Sequence, residues 1–274
     1  MFLIQTSFRH PIYISTYFHG AFMVNILITG ASHGIGHAAA ELFAQNMGTG
    51  CRLFLCCRLS IGTLTDDCHN LAETYGCECI PLQADVSDSG QVKMMFEEIR
   101  TYLSSHDSRV PALDILINNA GIAHIGLLQD MTDEEWRRII DTNLSSVFYC
   151  CRQAIPGMLH QKKGKIINIS SMWGNVGASC EAAYSASKGG VNSLTKALAK
   201  ELAPSNIQVN AIACGVIDTR MNACFSPKER EDLAQDIPAG RFGRPEEAAA
   251  LIYGLACGHD YLTGQVITLD GGYC

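Results

Sequence analysis

The chain has 274 residues, of which 47% are apolar and 17% are charged, and its formal net charge is −7. This length and composition suit one globular domain or two small ones, and they exclude a largely disordered chain. The negative charge argues against a nucleic-acid-binding protein, because such a protein needs a surface rich in Lys and Arg.

The 13 cysteines indicate a reduced, cytoplasmic protein rather than a disulfide-linked one, because their number is odd and the chain is long. Cys56 is adjacent to Cys57, and Cys150 is adjacent to Cys151, but no CxxC pair is present to begin a zinc or redox site. We therefore expect no structural metal.

Residues 1–22 are apolar and aromatic, but Arg9, Pro11 and His19 interrupt the runs before any is long enough to span a membrane. The segment also lacks the basic start and the cleavage site of a signal peptide. We interpret residues 1–22 as a weakly ordered N-terminal extension or as the result of a misassigned start. The compact domain is then 23–274, beginning at Met23, and no membrane association is expected.

From Val24 onward, short apolar runs alternate with longer segments of helical period. A run that is apolar throughout is typical of a strand covered on both faces of a parallel sheet. The predicted strands are Val24–Thr29, Arg52–Cys57, Glu78–Gln83, Leu113–Asn118, Lys165–Ser170, Ile207–Ala213 and Gln265–Leu269. The alternation predicts a single α/β domain of the Rossmann-type, doubly wound fold, with a seven-stranded parallel sheet flanked by helices.

The segment Thr29-Gly30-Ala31-Ser32-His33-Gly34-Ile35-Gly36 directly follows the first strand and leads into a helix. Such a turn points free backbone N–H groups and the positive end of a helix dipole at one place, and glycines let a pyrophosphate approach closely. The position predicts a dinucleotide site; the alternative is an ordinary glycine-rich turn.

The second predicted strand ends at Cys57 and Arg58, where many dinucleotide sites have a carboxylate for the ribose hydroxyls. The planar charge of Arg58 suits a 2′-phosphate, so NADP(H) is expected in preference to NAD(H). His33, mostly neutral near pH 7, adds little to this expectation. The alternatives are NAD(H) as cofactor, and Arg58 as a solvated loop charge.

Polar side chains fall on the apolar faces of two predicted helices. The first helix begins with a capping box of Thr132 and Glu135. Its apolar stripe consists of Trp136, Ile139, Ile140, Leu144, Val147, Phe148 and Cys151, and Asn143 lies on the same stripe. Asn143 needs hydrogen-bond partners there, and a neighbouring main chain would supply them in the structural interpretation.

The second helix runs from about Ala182 to Leu202 and is closed by Pro204. Tyr184 and Lys188 are four residues apart on its buried face, so the ammonium is expected to lower the pKa of the phenol and make it a useful proton donor and acceptor. The alternative is a lysine that extends past a core tyrosine to solvent. Ser170 and Ser171 end the fifth strand at the edge where parallel sheets bind ligands.

Taken together, these residues match the motifs of a known protein family. From Met23 to Cys274 the chain resembles the short-chain dehydrogenase/reductase (SDR) family, and most closely its 3-oxoacyl-[acyl-carrier-protein] reductases. The motifs that carry the resemblance are TGxxxGxG at Thr29–Gly36, Asp85-Val86, Asn118-Asn119-Ala120-Gly121, Asn143, Ser171 and YxxxK at Tyr184–Lys188. One position departs from the family pattern, since Cys214 stands where proline is usual, and a buried, inert thiol is expected there.

The resemblance implies hydride transfer between a nicotinamide and a carbonyl or alcohol carbon. Tyr184 would protonate the carbonyl oxygen and Ser171 would hydrogen-bond it, while Lys188 would bind the ribose and Asn143 would hold a water that links Lys188 to solvent. The substrate pocket would include Ser171, Trp173 and Tyr184. The cofactor-binding residues implied are Gly30, Ser32, His33, Gly34, Ile35, Gly36, Arg58, Asp85, Val86, Asn119, Ala120, Gly121, Tyr184, Lys188, Gly215, Ile217 and Thr219.

Three functions stay open from the sequence. The first is NADP(H)-dependent reduction of a 3-oxoacyl thioester on acyl carrier protein, in fatty acid biosynthesis. The second is reduction of another carbonyl: a small ketone, a sugar, a steroid or the 5-aminopentanone group on elongation factor P. The third is a non-catalytic dinucleotide-binding scaffold or redox sensor. The family likeness also implies a homotetramer or homodimer, with the segment Arg220–Arg244 covering the substrate and the C-terminal tail at an interface.

Overall fold

The structure, a computed structural model, describes residues 23–106, 111–223 and 225–274. The interpretations of residues 1–22 lie outside this range. The described part contains one seven-stranded, fully parallel sheet in the order β3-β2-β1-β4-β5-β6-β7. The strands are β1 Val24–Thr29, β2 Cys51–Cys57, β3 Glu78–Gln83, β4 Ile115–Asn118, β5 Gly164–Ser171, β6 Ile207–Cys214 and β7 Val266–Leu269. The predicted fold class is confirmed.

The strand boundaries agree with prediction within one residue, except that β4 begins at Ile115 instead of Leu113. The physical reason lies at Asp114. Its side-chain carboxylate accepts a hydrogen bond from the Asn25 backbone N–H at 2.9 Å, so a side chain takes the place of a main-chain acceptor there.

Helices cover both faces of the sheet. They are α1 Gly34–Met47, α2 Ile61–Tyr75, α3 Ser89–His106, α4 Asp133–Ile140, α5 Ser146–Gln161, α6 Trp173–Val176, α7 Ala182–Leu202, α8 Pro227–Asp236 and α9 Pro245–Cys257. One apolar core joins the sheet to α1, α2 and α9, and the other joins it to α3, α5 and α7. Strand order reverses at β1, between β2 and β4, and this reversal opens a crevice at the carboxyl ends of the strands.

The helix predicted from Thr132 is interrupted by a wider turn. The capping box of Thr132 and Glu135 is present at the start of α4, but Asp141–Ser145 form a π-helical turn before α5. A π turn contains more residues than an α turn, so it shifts the helical phase of the residues after it. The single apolar stripe was therefore wrong beyond the turn, where Phe148 is 46% exposed, and it was also wrong at Trp136, which precedes the turn and is 40% exposed.

The helix predicted from about Ala182 to Leu202 has these bounds in the structure, and Pro204 lies in the short 3₁₀ turn that follows it. Within the described residues, none of the helices combines the length and the apolar character that a membrane span requires.

Candidate active site

A cleft of about 640 Å³ lies at the carboxyl ends of the strands around the crevice. Almost all the site residues predicted from the sequence line this cleft, including Arg58, Asp85, Ser171, Trp173, Tyr184 and Lys188. Two of them, Gly36 and Asn143, do not line it and lie behind its surface. The sequence pattern thus gathers side chains from distant parts of the chain at one place.

The glycine turn between β1 and α1 has the shape of an anion cradle. Gly30 and Gly34 have φ values of +65° and +60°, which side chains rarely adopt. A Cβ on Gly36 would lie 2.5 Å from the Gly30 carbonyl oxygen and 2.6 Å from Asn119 Nδ2. Gly36 therefore keeps the helix start close to the turn, which explains its place behind the cleft wall.

Hydrogen bonds of Thr29 and Asn119 connect β1 to the segment after β4. The Thr29 hydroxyl accepts from the backbone N–H groups of Asn119, at 3.0 Å, and Ala120, at 3.1 Å. The Asn119 amide donates to the carbonyl oxygens of Thr29 and Gly30 at 2.9 and 3.0 Å. These bonds fix the position of the glycine turn with main-chain partners.

Arg58 and Asp85 lie together at the ends of β2 and β3. The Arg58 guanidinium is 3.8 Å from an Asp85 carboxylate oxygen, and Arg58 is half exposed. Sequence reasoning found both residues but not this pairing. At the adjacent glycine turn, burial and nearby Arg220 lower the pKa of His33, and its ring nitrogen lies 2.9 Å from the Ser32 hydroxyl. His33 is thus held in its neutral form, as expected.

Ser171, Tyr184 and Lys188 are all buried where β5 meets α7. A hydrogen bond joins the Ser171 and Tyr184 side chains. Lys188 donates from Nζ to the Ile169 carbonyl oxygen at 2.8 Å, and this nitrogen lies 5.7 Å from the centre of the Tyr184 ring. The lysine does not extend to solvent, so the alternative interpretation of this pair is wrong.

The expected direction of the Tyr184 pKa shift was also wrong. Burial raises the pKa of Tyr184 well above its ordinary value, and the hydrogen bond with Ser171 offsets only part of this rise. Burial also lowers the pKa of Lys188 to about 8. The desolvation that penalises phenolate also penalises the neighbouring ammonium, so the cation has less effect than its spacing suggested.

The Asn143 amide, buried within the π turn, is bonded to protein groups as the structural interpretation expected. Its oxygen accepts from the Ile122 N–H at 2.8 Å, and its nitrogen donates to the Ile122 carbonyl at 2.9 Å and to Ser187 Oγ at 3.1 Å. A Cβ on Gly121 would lie 3.3 Å from the Asn143 oxygen and 3.4 Å from Lys188 Nζ. Asn143 and Lys188 therefore both border the space beside Gly121.

Cys214, which stands where the family usually has proline, pairs in register with Ser171 across β5 and β6. Burial raises the pKa of this thiol to about 12, although the nearby Lys188 opposes the rise. A thiol in this environment stays protonated at neutral pH and reacts slowly. The structure thus agrees with the expectation of an inert cysteine.

The end of the cleft where the sequence predicts a substrate pocket lies beyond Ser171. Trp173 begins α6, and its ring meets the Tyr273 ring edge-on at 5.7 Å between centroids. Met221 and Phe225 line this end together with Glu181, which immediately precedes α7. Sequence reasoning missed Glu181; the signal that could have found it is a carboxylate three residues before Tyr184.

The sequence and the fold are similar to those of known proteins. A family profile described as short chain dehydrogenase matches residues 24–230. The chain belongs to this family.

Named oxidoreductases are similar to the chain over most of its length. The 3-oxoacyl-[acyl-carrier-protein] reductase FabG of Thermotoga maritima is 40% identical over 90% of this chain and 96% of its own. The uncharacterized oxidoreductase YmfI of Bacillus subtilis is 37% identical over 90% of this chain and 97% of its own. A crystal structure of the Brucella melitensis 3-oxoacyl-[acyl-carrier protein] reductase superposes with a TM-score of 0.83, at 31% identity, covering 92% of each chain.

Proposed function

We propose that this short-chain dehydrogenase is an NADP(H)-dependent carbonyl reductase, acting in reverse on a CH–OH group, and that its substrate is a 3-oxoacyl thioester of acyl carrier protein. The observation that carries the proposal is the buried group of Ser171, Tyr184 and Lys188 in the same cleft as the glycine cradle. The reductases named among the relatives support the choice of thioester.

The shape and charge of one end of the cleft support a dinucleotide. A side chain on Gly36 would collide with the turn, and the positive φ values of Gly30 and Gly34 bring bare backbone to the cleft surface. Arg58 supports NADP(H) over NAD(H), because its half-exposed guanidinium is available to a 2′-phosphate. The residues proposed to hold the dinucleotide are those expected from the sequence, with Gly36 acting through the shape of the turn. When bound, the nicotinamide supplies the hydride for the carbonyl carbon.

The raised pKa of Tyr184 suits a proton donor, because the phenol stays protonated until the substrate oxygen becomes basic. Ser171 shares a hydrogen bond with Tyr184 and would hold the same substrate oxygen. Lys188, with a pKa of about 8, exchanges protons near neutral pH and borders the space beside Gly121. We propose that this space holds a water which links Lys188 to solvent, with Asn143 as its second neighbour.

The proposal includes a homotetramer or homodimer in the cytoplasm. The predicted stripe placed the large apolar side chains of Trp136 and Phe148 inside the protein. In the structure these side chains are exposed, on α4 and α5, and Leu159 of α5 is exposed as well. Exposed apolar surface of this kind is typical of a protein–protein interface. Sedimentation equilibrium of the purified chain tests the assembly, and a monomer would contradict it.

The oxidation of NADPH, followed by its absorbance, tests the function. Rapid turnover with an acetoacetyl thioester is expected, faster with NADPH than with NADH. Turnover only with ketones, sugars, steroids or a carbonyl on a modified protein such as elongation factor P would move the assignment to another carbonyl reductase. Tight NADPH binding without turnover of any carbonyl would leave a dinucleotide-binding scaffold or redox sensor.

A further inference from the structure

The C-terminal tail, residues 270–274, directly follows β7, and its first side chain holds it in a compact turn. The two oxygens of the Asp270 carboxylate accept from the backbone N–H groups of Gly272 and Cys274, both at 3.0 Å. Gly271 and Gly272 have φ values of +69° and +86°, which allow the chain to turn there. Tyr273 lies between two residues that are bonded to the same carboxylate, so its main chain has a defined position.

The tail packs against two segments near the cleft. On one side, the Gly215 N–H donates to the Leu269 carbonyl oxygen at 2.9 Å, and a Cβ on Gly215 would lie 2.6 Å from the Asp270 Cα. Gly215 itself lines the cleft. On the other side, Ala239, which follows α8, donates from its N–H to the Gly271 carbonyl oxygen at 3.1 Å. The tail therefore lies directly behind the cleft wall.

The Tyr273 side chain contacts this wall at Trp173. The two ring centroids are 5.7 Å apart and the ring planes are inclined at 64°, an edge-on arrangement that is favourable for aromatic pairs. Trp173 lines the cleft, whereas Tyr273 does not. A ligand in the cleft can therefore touch Trp173 but not the tyrosine behind it.

Contacts outside α6 hold Trp173 in place. The helix has four residues, about one turn, so helix formation alone restrains its first residue little. The Trp173 N–H donates to Ser171 Oγ at 3.2 Å, and the Ser171 side chain also bonds to Tyr184. The Trp173 side chain donates to Glu181, and Tyr273 packs against its ring. The main chain of Trp173 is thus tied to Ser171, while its ring depends on Glu181 and Tyr273.

We propose that Tyr273 is a positioning residue for the carbonyl substrate, which holds the Trp173 ring in place as a wall of the substrate pocket without touching the substrate. The inference rests on the proposed carbonyl reduction, in which Ser171 and Tyr184 serve the substrate oxygen. Because the Trp173 main chain is bonded to Ser171, the orientation of the indole determines how closely the rest of the substrate packs. Loss of the Tyr273 ring should weaken substrate binding and leave the proton donor in place.

Steady-state kinetics test the inference, with acetoacetyl-coenzyme A as substrate and NADPH as reductant. Tyr273→Ala should raise KM by about 2- to 10-fold, the range expected for one aromatic pair, with kcat within about twofold of the wild type. Tyr273→Phe retains the ring and should keep the wild-type KM. Tyr261→Ala is the matched control, because Tyr261 is fully exposed outside the cleft, and its KM should equal that of the wild type.

A double-mutant cycle separates this role from a general loss of structure. Trp173→Ala should raise KM by itself, and adding Tyr273→Ala should cause little further rise, because the tyrosine then has no ring to hold. Fluorescence gives a reading that is independent of turnover. The chain has two tryptophans, so in a Trp136→Phe background the tryptophan emission comes from Trp173. Tyr273→Ala should increase the quenching of this emission by acrylamide, and Tyr273→Phe should not.

The inference and the proposed function fail in distinguishable ways. An unchanged KM in Tyr273→Ala, additive effects in the cycle, or a rise in the Kd for NADPH as large as that in KM would show that Tyr273 does not act through Trp173, with the carbonyl reductase intact. If the wild type reduces no carbonyl compound, the proposed function fails and the positioning of a substrate fails with it, even where the quenching changes as expected.

Discussion

The two ends of the cleft differ in the groups that form their surface: main-chain groups at one end and buried side chains at the other. At the proposed dinucleotide end, backbone groups form the surface, and side chains such as Thr29 and Asn119 bond to main chain to hold it in place. At the proposed catalytic end, buried side chains themselves face the cleft, and burial shifts the pKa values of Tyr184 and Lys188 in opposite directions. The first end therefore depends on the shape of its backbone, and the second on the protonation of its side chains.

This difference predicts how each end responds to substitution. The backbone surface should tolerate a change in the charge of a neighbouring side chain. It should not tolerate a carbon atom added to one of its glycines, because the main-chain groups of the turn lie in close contact. At the proposed catalytic end, a substitution that preserves shape should leave folding intact but lower turnover, because it removes the group proposed to donate the proton. Four substitutions test this contrast by separating binding, turnover and stability.

Tyr184→Phe should have the largest effect. It preserves the packing of the ring but removes the proton donor, so kcat should fall by about 10²- to 10⁴-fold while NADPH affinity stays close to that of the wild type. Stopped-flow kinetics and fluorescence titration with NADPH measure the two quantities. Tyr253→Phe removes a hydroxyl outside the cleft and serves as control; near-normal turnover of Tyr184→Phe would refute the assigned acid.

Lys188→Met should change the pH dependence of stability. Burial lowers the pKa of Lys188 from 10.5 to about 8, so the unfolded chain binds more protons than the native protein between these values. The wild-type free energy of unfolding should therefore gain a contribution of about 3 kcal/mol as the pH rises through this window, with the full penalty present below pH 8.

The Lys188→Met variant lacks this contribution, so the difference between its unfolding curve and that of the wild type should shrink as the pH rises. Urea denaturation at several pH values measures the difference. Lys200→Met is the control, because Lys200 is exposed on the same helix and should show no such pH dependence. A constant difference for Lys188→Met would show that the ammonium is not penalised by burial.

Gly36→Ala should mainly affect dinucleotide binding. The new Cβ would lie 2.5 Å from the Gly30 oxygen, so the turn must shift, at a cost of about 1–3 kcal/mol. The Kd for NADPH should rise by about 10- to 100-fold. Gly62→Ala adds the same methyl group where no other heavy atom lies within 4 Å, and an equal effect of the two variants would contradict the role assigned to the turn.

Arg58→Gln should have the smallest effect, because the guanidinium is half exposed and solvent screens it. The preference for NADPH over NADH, measured as a ratio of kcat/KM values, should fall by about tenfold. Arg138→Gln removes an exposed charge outside the cleft and should leave the ratio unchanged. An unaltered ratio for Arg58→Gln would show that this residue does not read the 2′-phosphate.

The sequence predicted the fold well because the signals for it are local. Strands apolar throughout, such as Ile115–Ile117, occur where both sheet faces are covered, and the glycine turn marks the first crossover. The candidate site followed from the same logic, since the carboxyl ends of parallel strands meet at one edge. Residues as distant as Arg58 and Lys188 could thus be assigned to one cleft before any contact was known.

The features that the sequence did not predict depend on the environment and not on local spacing. Spacing placed Lys188 near Tyr184, but only the buried surroundings show that desolvation outweighs the attraction between the two groups. Similarly, nothing in the residues around Glu181 indicates that this carboxylate is partly buried and without an ion-pair partner in the described part of the chain.

The π turn at Asp141–Ser145 has a consequence for insertions and deletions in this segment. A π turn accommodates about one residue more than an α turn in the same rotation, so removing one residue there and closing the turn to α spacing would leave α5 in nearly the same orientation. The loss of a single codon there would therefore keep the core side chains of α5 on their buried face, and its cost would fall on the hydrogen bonds between Asn143 and Ile122. A one-residue change in length should be tolerated better at this turn than in the middle of α5.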